Sequence, residues 1–197
     1  MRAAFFLPFL LLPAAAVAQP APQPAPKPPA PKPQAQPKPV SEADLLAQLK
    51  AAESPEAARP IEAKLTAMFR PSGSPSVDLL MTRAETAARA GDKDTARKLV
   101  DAITSIAPRY AEGWHVRAAM ESAADNDTAA MVSLHKTVEL NPNHFTAMVE
   151  LGDMLQAYGD RPAALKLYRR ALALNPHMEG TESKARELAR SVEGQDI

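Results

Sequence analysis

The chain has 197 residues, with 23 Lys plus Arg against 23 Asp plus Glu, 20 prolines, 7 glycines and no cysteine. The lack of cysteine excludes a disulfide framework, a thiolate nucleophile, a cysteine metal site and a lipid-modified cysteine after a leader. Balanced charge without any dense basic block argues against a nucleic-acid partner.

Residues 1–18 read as a bacterial secretory signal peptide. Arg2 supplies the positive start, Ala3 to Leu12 form an apolar run broken by Pro8, and Ala16-Val17-Ala18 places small residues where a signal peptidase cuts. An uncleaved anchor would need about 20 apolar residues, and this run is shorter and holds Pro8 and Pro13. Residues 19–40 then alternate Pro with Ala, Gln and Lys. Proline fixes φ and removes a backbone donor, so this linker is expected to be disordered or polyproline II, reaching roughly 60–70 Å at about 3.1 Å per residue. It reads as a spacer kept soluble by Lys27, Lys32 and Lys38. The alternatives are a ligand for an aromatic groove and a Pro/Lys strand in contact with the anionic cell wall.

From residue 41 every segment patterns as helix. Residues 41–75 form an N-terminal helical pair, expected as a degenerate repeat. Ser41 caps a first helix with Leu45, Leu46 and Leu49 as its apolar stripe. Ser54-Pro55-Glu56 opens a second with Ile61, Leu65, Met68 and Phe69, whose start Pro60 should bend or delay. Arg70 to Pro75 breaks the chain, and Ser76 is the expected cap of the first regular repeat.

Pro108, Pro142 and Pro176 stand 34 residues apart, each between two helix-patterned stretches. They divide the chain into three units, 76–110, 111–144 and 145–178. Each unit is one helical hairpin, which cannot bury its own apolar face and must stack on the next. Helices crossing closely need small side chains at the crossing, here Ala84, Ala118 and Gly152 on one helix and Ala96, Ala130 and Ala164 on the other. Turns are expected at Gly91-Asp92, Asp125-Asn126-Asp127 and Gly159-Asp160. Residues 179–197 read as a capping helix and tail, with Ala185, Leu188, Ala189 and Val192 on one stripe and a stop at Gly194.

In the third unit Met148, Leu151-Gly152, Leu155, Ala164, Tyr168, Ala171 and Pro176 fall in phase. The second carries Trp114, Ala118, Ala130, Leu134 and Pro142, and the first Leu80, Ala84, Ala87, Ala96, Val100, Ile103 and Pro108. In these residues the chain resembles the tetratricopeptide repeat family. The resemblance implies an all-α, right-handed α–α superhelix of about three regular repeats, with the helical pair before them and the capping helix after. It also implies a concave groove lined by the first helix of each hairpin, which in the family grips peptides or a partner helix.

Carried onto matching positions, that groove holds Asp78, Met81, Glu85 and Ala88, then Glu112, His115, Ala119 and Ser122, then Thr146, Val149, Asp153 and Gln156. Where the family clamps a terminal carboxylate with Lys, Arg and Asn, this chain has Met81, Glu85, His115, Val149 and Asp153, so that mode is not expected. Trp114 is expected between helices. Arg83 and Arg117 occupy equivalent slots and are expected to pair with Glu112, Glu121 or Glu150 in a ladder.

No catalytic residue, cofactor site or metal site is predicted. There is no Gly-rich phosphate loop and no nucleophile elbow, and His115, His135, His144 and His177 read as scattered. His135 and Glu139, one turn apart, read as a solvated face. The sequence therefore points to a non-enzymatic scaffold, exported to the periplasm, that binds a protein or peptide of the cell envelope and has no transmembrane segment in the mature chain. The alternative is an accessory factor modulating an envelope enzyme or assembly machine in peptidoglycan, secretion or cytochrome maturation.

Overall fold

A computed structural model describes residues 40–178 and 180–194. The expected signal peptide, the arm up to residue 39 and the tail from residue 195 lie outside the described residues. Among those described, the regular elements are the helices α1 (Glu42–Lys50), α2 (Pro55–Phe69), α3 (Pro75–Arg89), α4 (Lys93–Ile106), α5 (Ala111–Ser122), α6 (Asp127–Leu140), α7 (Phe145–Ala157), α8 (Arg161–Leu174) and α9 (Thr181–Val192). None of them is long and apolar enough to cross a membrane.

Local chemistry sets most boundaries. Ser41 and Asp44 form a reciprocal capping box at α1, and Ser54 Oγ accepts from the Ala57 amide at α2. Pro60 does not delay the start: α2 begins at Pro55, in the first helical position, and runs on through Pro60. Ser76 is not a cap. It lies inside α3, which Pro75 opens after Ser74, while Ser72 turns back to bond Asp78.

Between the helices of each hairpin, Asp92, Asn126 and Asp160 each accept an amide three residues on, capping α4, α6 and α8. Ahead of them Gly91 and Gly159 take φ of 80° and 90°. At the equivalent place the middle hairpin uses Asp125, at φ 57°. Asparagine repeats as well: Asn141 and Asn175 accept from the amides of Asn143 and His177, turning the chain through Pro142 and Pro176.

From α3 to α9 each helix packs on its neighbours in chain order. The small residues expected at the crossings, Ala84, Ala118, Gly152, Ala96, Ala130 and Ala164, are all buried. The cap α9 presses Ala185 and Leu188 onto Ala164, Leu165 and Tyr168. The α1–α2 pair does something else. Its buried Leu45, Leu49, Ala58 and Leu65 join Phe145, Met148, Leu167 and Ala171 in one core. Glu42 bonds Asn143 and Glu62 bonds Asn175. The pair therefore docks on the corners that lead into α7 and α9, rather than stacking ahead of α3 as a further hairpin would.

Candidate functional site

Helical spacing puts Glu85 and Ala88 on one face of α3, and Glu112, His115 and Ala119 on one face of α5, with its C-cap Ala123 following them. These faces bound a cleft of about 630 Å³ whose other walls include Val116, Met120 and the start of α4. Small apolar side chains form much of its lining, and its rim is charged. Arg70, following α2, contributes one of its cations: the guanidinium donates to Glu85 Oε1 at 2.6 Å. The Tyr110 hydroxyl donates to the Arg70 carbonyl and fixes that segment in place.

At one end of the cleft stands a cluster drawn from two helices and a cap. Glu112 Oε2 lies 3.6 Å from His115 Nδ1 and 3.2 Å from His144 Nε2. His115 Nε2 reaches Glu150 Oε2 on α7 at 2.8 Å. His144 is the N-cap of α7, its Nδ1 accepting from the Ala147 amide at 3.2 Å. That bond leaves the ring proton on Nε2, which is donated to Glu112. Phe69, the last residue of α2, stacks on the His144 ring with centroids 5.3 Å apart. Burial works against both charges, raising Glu112 and lowering His115. The hydrogen bonds among Glu112, His115, His144 and Glu150 outweigh it, so the Glu112 carboxyl is held at about 2 and the His115 imidazole is pushed up to about 9. His115 is thus an imidazolium between two carboxylates.

No family model matches the chain. A TPR repeat-containing protein of Rhizobium etli is 27% identical over 150 residues, covering 76% of this chain and 74% of the relative. Among solved structures, the first TPR of Spaghetti (RPAP3) bound to an HSP90 peptide matches 59% of this chain and 93% of its own with TM-score 0.53 and 19% identity. MamA matches 79% of this chain and 82% of its own with TM-score 0.54 and 16% identity. The TPR2B domain of yeast Sti1, in its pHsp70 complex, matches 60% and 99% with TM-score 0.52 and 18% identity. The fold is a tetratricopeptide-repeat solenoid.

On that solenoid the groove residues expected from repeat position do not stay together. Glu85, Glu112 and His115 come together at the cleft, with Ala88 and Ala119. Asp153 and Gln156 are tied up elsewhere: the Tyr168 hydroxyl reaches both, at 2.6 and 2.9 Å, and Lys184 of α9 donates to Asp153 at 2.6 Å. Val149 and Thr146 line a separate hollow of about 320 Å³, together with Arg59 and Glu62 of α2. Met81 is core, packed with Val77, Ala84, Val100, Ile103 and Tyr110. Asp78 anchors the loop before α3 by accepting from Ser72, which holds its carboxyl below the usual range, and Ser122 is an exposed helix end outside the cleft lining.

The expected arginine ladder forms on one rung. Arg117 donates to Glu121 at 2.8 Å and stands 3.6 Å from Asp101, whereas Arg83 is exposed and makes no ion pair among the described residues. Glu112 and Glu150 are claimed by His115 instead. Trp114 is only partly buried, its Nε1 donating to the Pro108 carbonyl and its ring lying under Arg117. The histidines are not all scattered either, since His115 and His144 meet at 4.5 Å between ring centroids. Repeat position does not single out Arg70, His144 or Glu150 as site residues. Of the three, His144 alone carries a signal in the sequence, standing in the cap position just ahead of an apolar helix.

Proposed function

We propose that the protein is a non-catalytic interaction scaffold that receives an extended segment of a protein partner in the cleft between its first and second repeats. The observation that carries this reading is the cleft itself: about 630 Å³, floored by small apolar side chains and rimmed by Arg70, Glu85, Lys93 and Arg97. Such a surface suits an extended chain, whose apolar side chains enter while its polar backbone and charges meet the rim. The RPAP3 and Sti1 domains, similar in fold, hold HSP90 and Hsp70 ligands in their complexes.

The envelope setting belongs to the same reading. It rests on the signal-type pattern ending at Ala16-Val17-Ala18, the absence of cysteine, and a proline-rich arm long enough to hold the solenoid away from a surface. Fractionation with sequencing of the mature N-terminus tests it: a periplasmic chain beginning at Gln19 is the expected result, and a cytoplasmic chain retaining Met1 refutes export.

For the cleft, a photo-crosslinker at Ala119 is compared with one at Val132, which is exposed on α6. A partner captured from Ala119 and not from Val132, and lost in the Ala88→Arg/Ala119→Arg variant, supports the reading. Both alanines are exposed, so helicity should survive those changes. Equal capture from both sites, or capture indifferent to the arginines, refutes it. Charge reversal at Asp153 is unsuitable for this purpose because it would break the bonds to Tyr168 and Lys184.

A further inference from the structure

We propose that Glu112, His115 and His144 form a binding site for a divalent transition-metal ion of the zinc class, clipping α5 to the N-cap of α7. The three ligand atoms all lie within 4.8 Å of one another. Atoms bound tetrahedrally to zinc at about 2.0–2.2 Å stand roughly 3.3–3.5 Å apart. The two separations from Glu112 Oε2, 3.6 Å to His115 Nδ1 and 3.2 Å to His144 Nε2, are already close to that edge. Two imidazoles and one carboxylate suit zinc or nickel, whereas calcium and magnesium prefer all-oxygen shells.

The surroundings supply what a metal-ligating histidine needs. His115 Nε2 donates to Glu150 Oε2 at 2.8 Å, the outer carboxylate partner that turns the Nδ1 lone pair inward once the imidazolium gives up a proton. Phe69 stacks on His144 and holds its ring plane. Glu112 and His115 also line the cleft, so the fourth coordination position has a path to solvent. A dication on the Nδ1 side of the ring meets the Glu112 carboxylate directly, while Glu150 stays on the Nε2 side.

Binding has one structural cost, which makes it readable. His144 Nδ1 now accepts from the Ala147 amide. With metal on Nε2, Nδ1 must carry the ring proton, so that bond is given up and α7 loses its cap. The untagged full chain, stripped with chelator, is titrated calorimetrically with zinc and separately with magnesium.

One zinc equivalent is expected, with no magnesium heat, a higher Tm in zinc, and an Ala147 amide that shifts and exchanges faster in the loaded form. Glu112→Gln keeps the side chain's shape and His144→Asn keeps a capping side chain. Each should weaken zinc by at least about 100-fold, and Glu150→Gln by about 10–100-fold. The control His135→Ala should change nothing.

Zinc affinity unchanged in helical Glu112→Gln and His144→Asn, an affinity that falls with His135→Ala, or an unmoved Ala147 amide would each overturn the site. If a variant fails to fold, the Ala147 signal and the stoichiometry of the unmutated chain decide the question.

Discussion

Gly152→Ala tests the packing rule behind the whole stack. A Cβ at Gly152 would lie 2.7 Å from Tyr168 Cε1, 3.0 Å from Cδ1 and 3.3 Å from Cζ. The ring cannot retreat easily, because Tyr168 is 0% exposed and its hydroxyl is bonded to both Asp153 and Gln156. Two effects oppose each other. Alanine gains about 1 kcal/mol over glycine in the interior of α7, and overpacking a filled core costs about 1–3 kcal/mol. The pinned ring puts the clash in the upper part of that range, for a net loss of roughly 1–2 kcal/mol. At about 2–4 °C per kcal/mol for a chain of this size, Tm should fall by roughly 2–8 °C. In a Tyr168→Leu background the obstructing ring is gone and the same substitution should become neutral or stabilising, a coupling of about 2 kcal/mol in a urea-denaturation cycle. Equal effects in the two backgrounds would refute the idea that Gly152 is small because Tyr168 lies on it.

Three other substitutions probe different parts of the stack. Ala164→Arg, at a crossing with no exposure, should cost more than about 4 kcal/mol and abolish amide-exchange protection in α7 to α9 while α3 and α4 keep theirs; retained protection in α8 would overturn the crossing scheme. Asp125→Gly places glycine where the other two hairpins already have it, at positive φ, and should raise stability by about 0.5–1 kcal/mol in urea. The Asp78 carboxyl is held below its usual range by the Ser72 hydroxyl and amide, so its stabilisation is present above the unfolded carboxylate pKa and lost as pH falls through the lower folded value. Asp78→Asn should accordingly be less stable than the parent at neutral pH and approach it in acid; a urea-midpoint difference that stays constant across that range would refute the assignment.

The repeating part of the fold was legible because its demands are local and recur. A crossing that tolerates only a small side chain appears at the same phase in each unit, so Ala84, Ala118 and Gly152 identify each other without knowledge of the rest. The same holds for the amide-accepting caps Asp92, Asn126 and Asp160. Docking of the α1–α2 pair has no such recurrence. Leu45, Leu49, Ala58 and Leu65 announce amphipathic helices, yet an apolar stripe is equally satisfied by any apolar surface. Its actual choice depends on Glu42 finding Asn143 and Glu62 finding Asn175, pairs separated by 101 and 113 residues along the chain.

The site was legible for the same reason and failed where that reason stops. Repeat position places Glu85, Glu112 and His115 on the faces that meet at the cleft. It then treats every repeat alike, and the chain does not. The last repeat is followed by α9, whose Lys184 neutralises Asp153, so a carboxylate that position alone leaves for a partner is satisfied internally. The first repeat is entered from α2, which delivers Arg70 to Glu85 and so makes one rim of the cleft from a residue outside the repeats. The middle repeat is met by α2 at His144, on which Phe69 stacks. There the unsymmetrical residues accumulate: an imidazolium between two carboxylates, a histidine cap, and a phenylalanine stacked from α2. A solenoid supplies equivalent positions, and its ends decide which of them are spent on structure and which remain for a ligand.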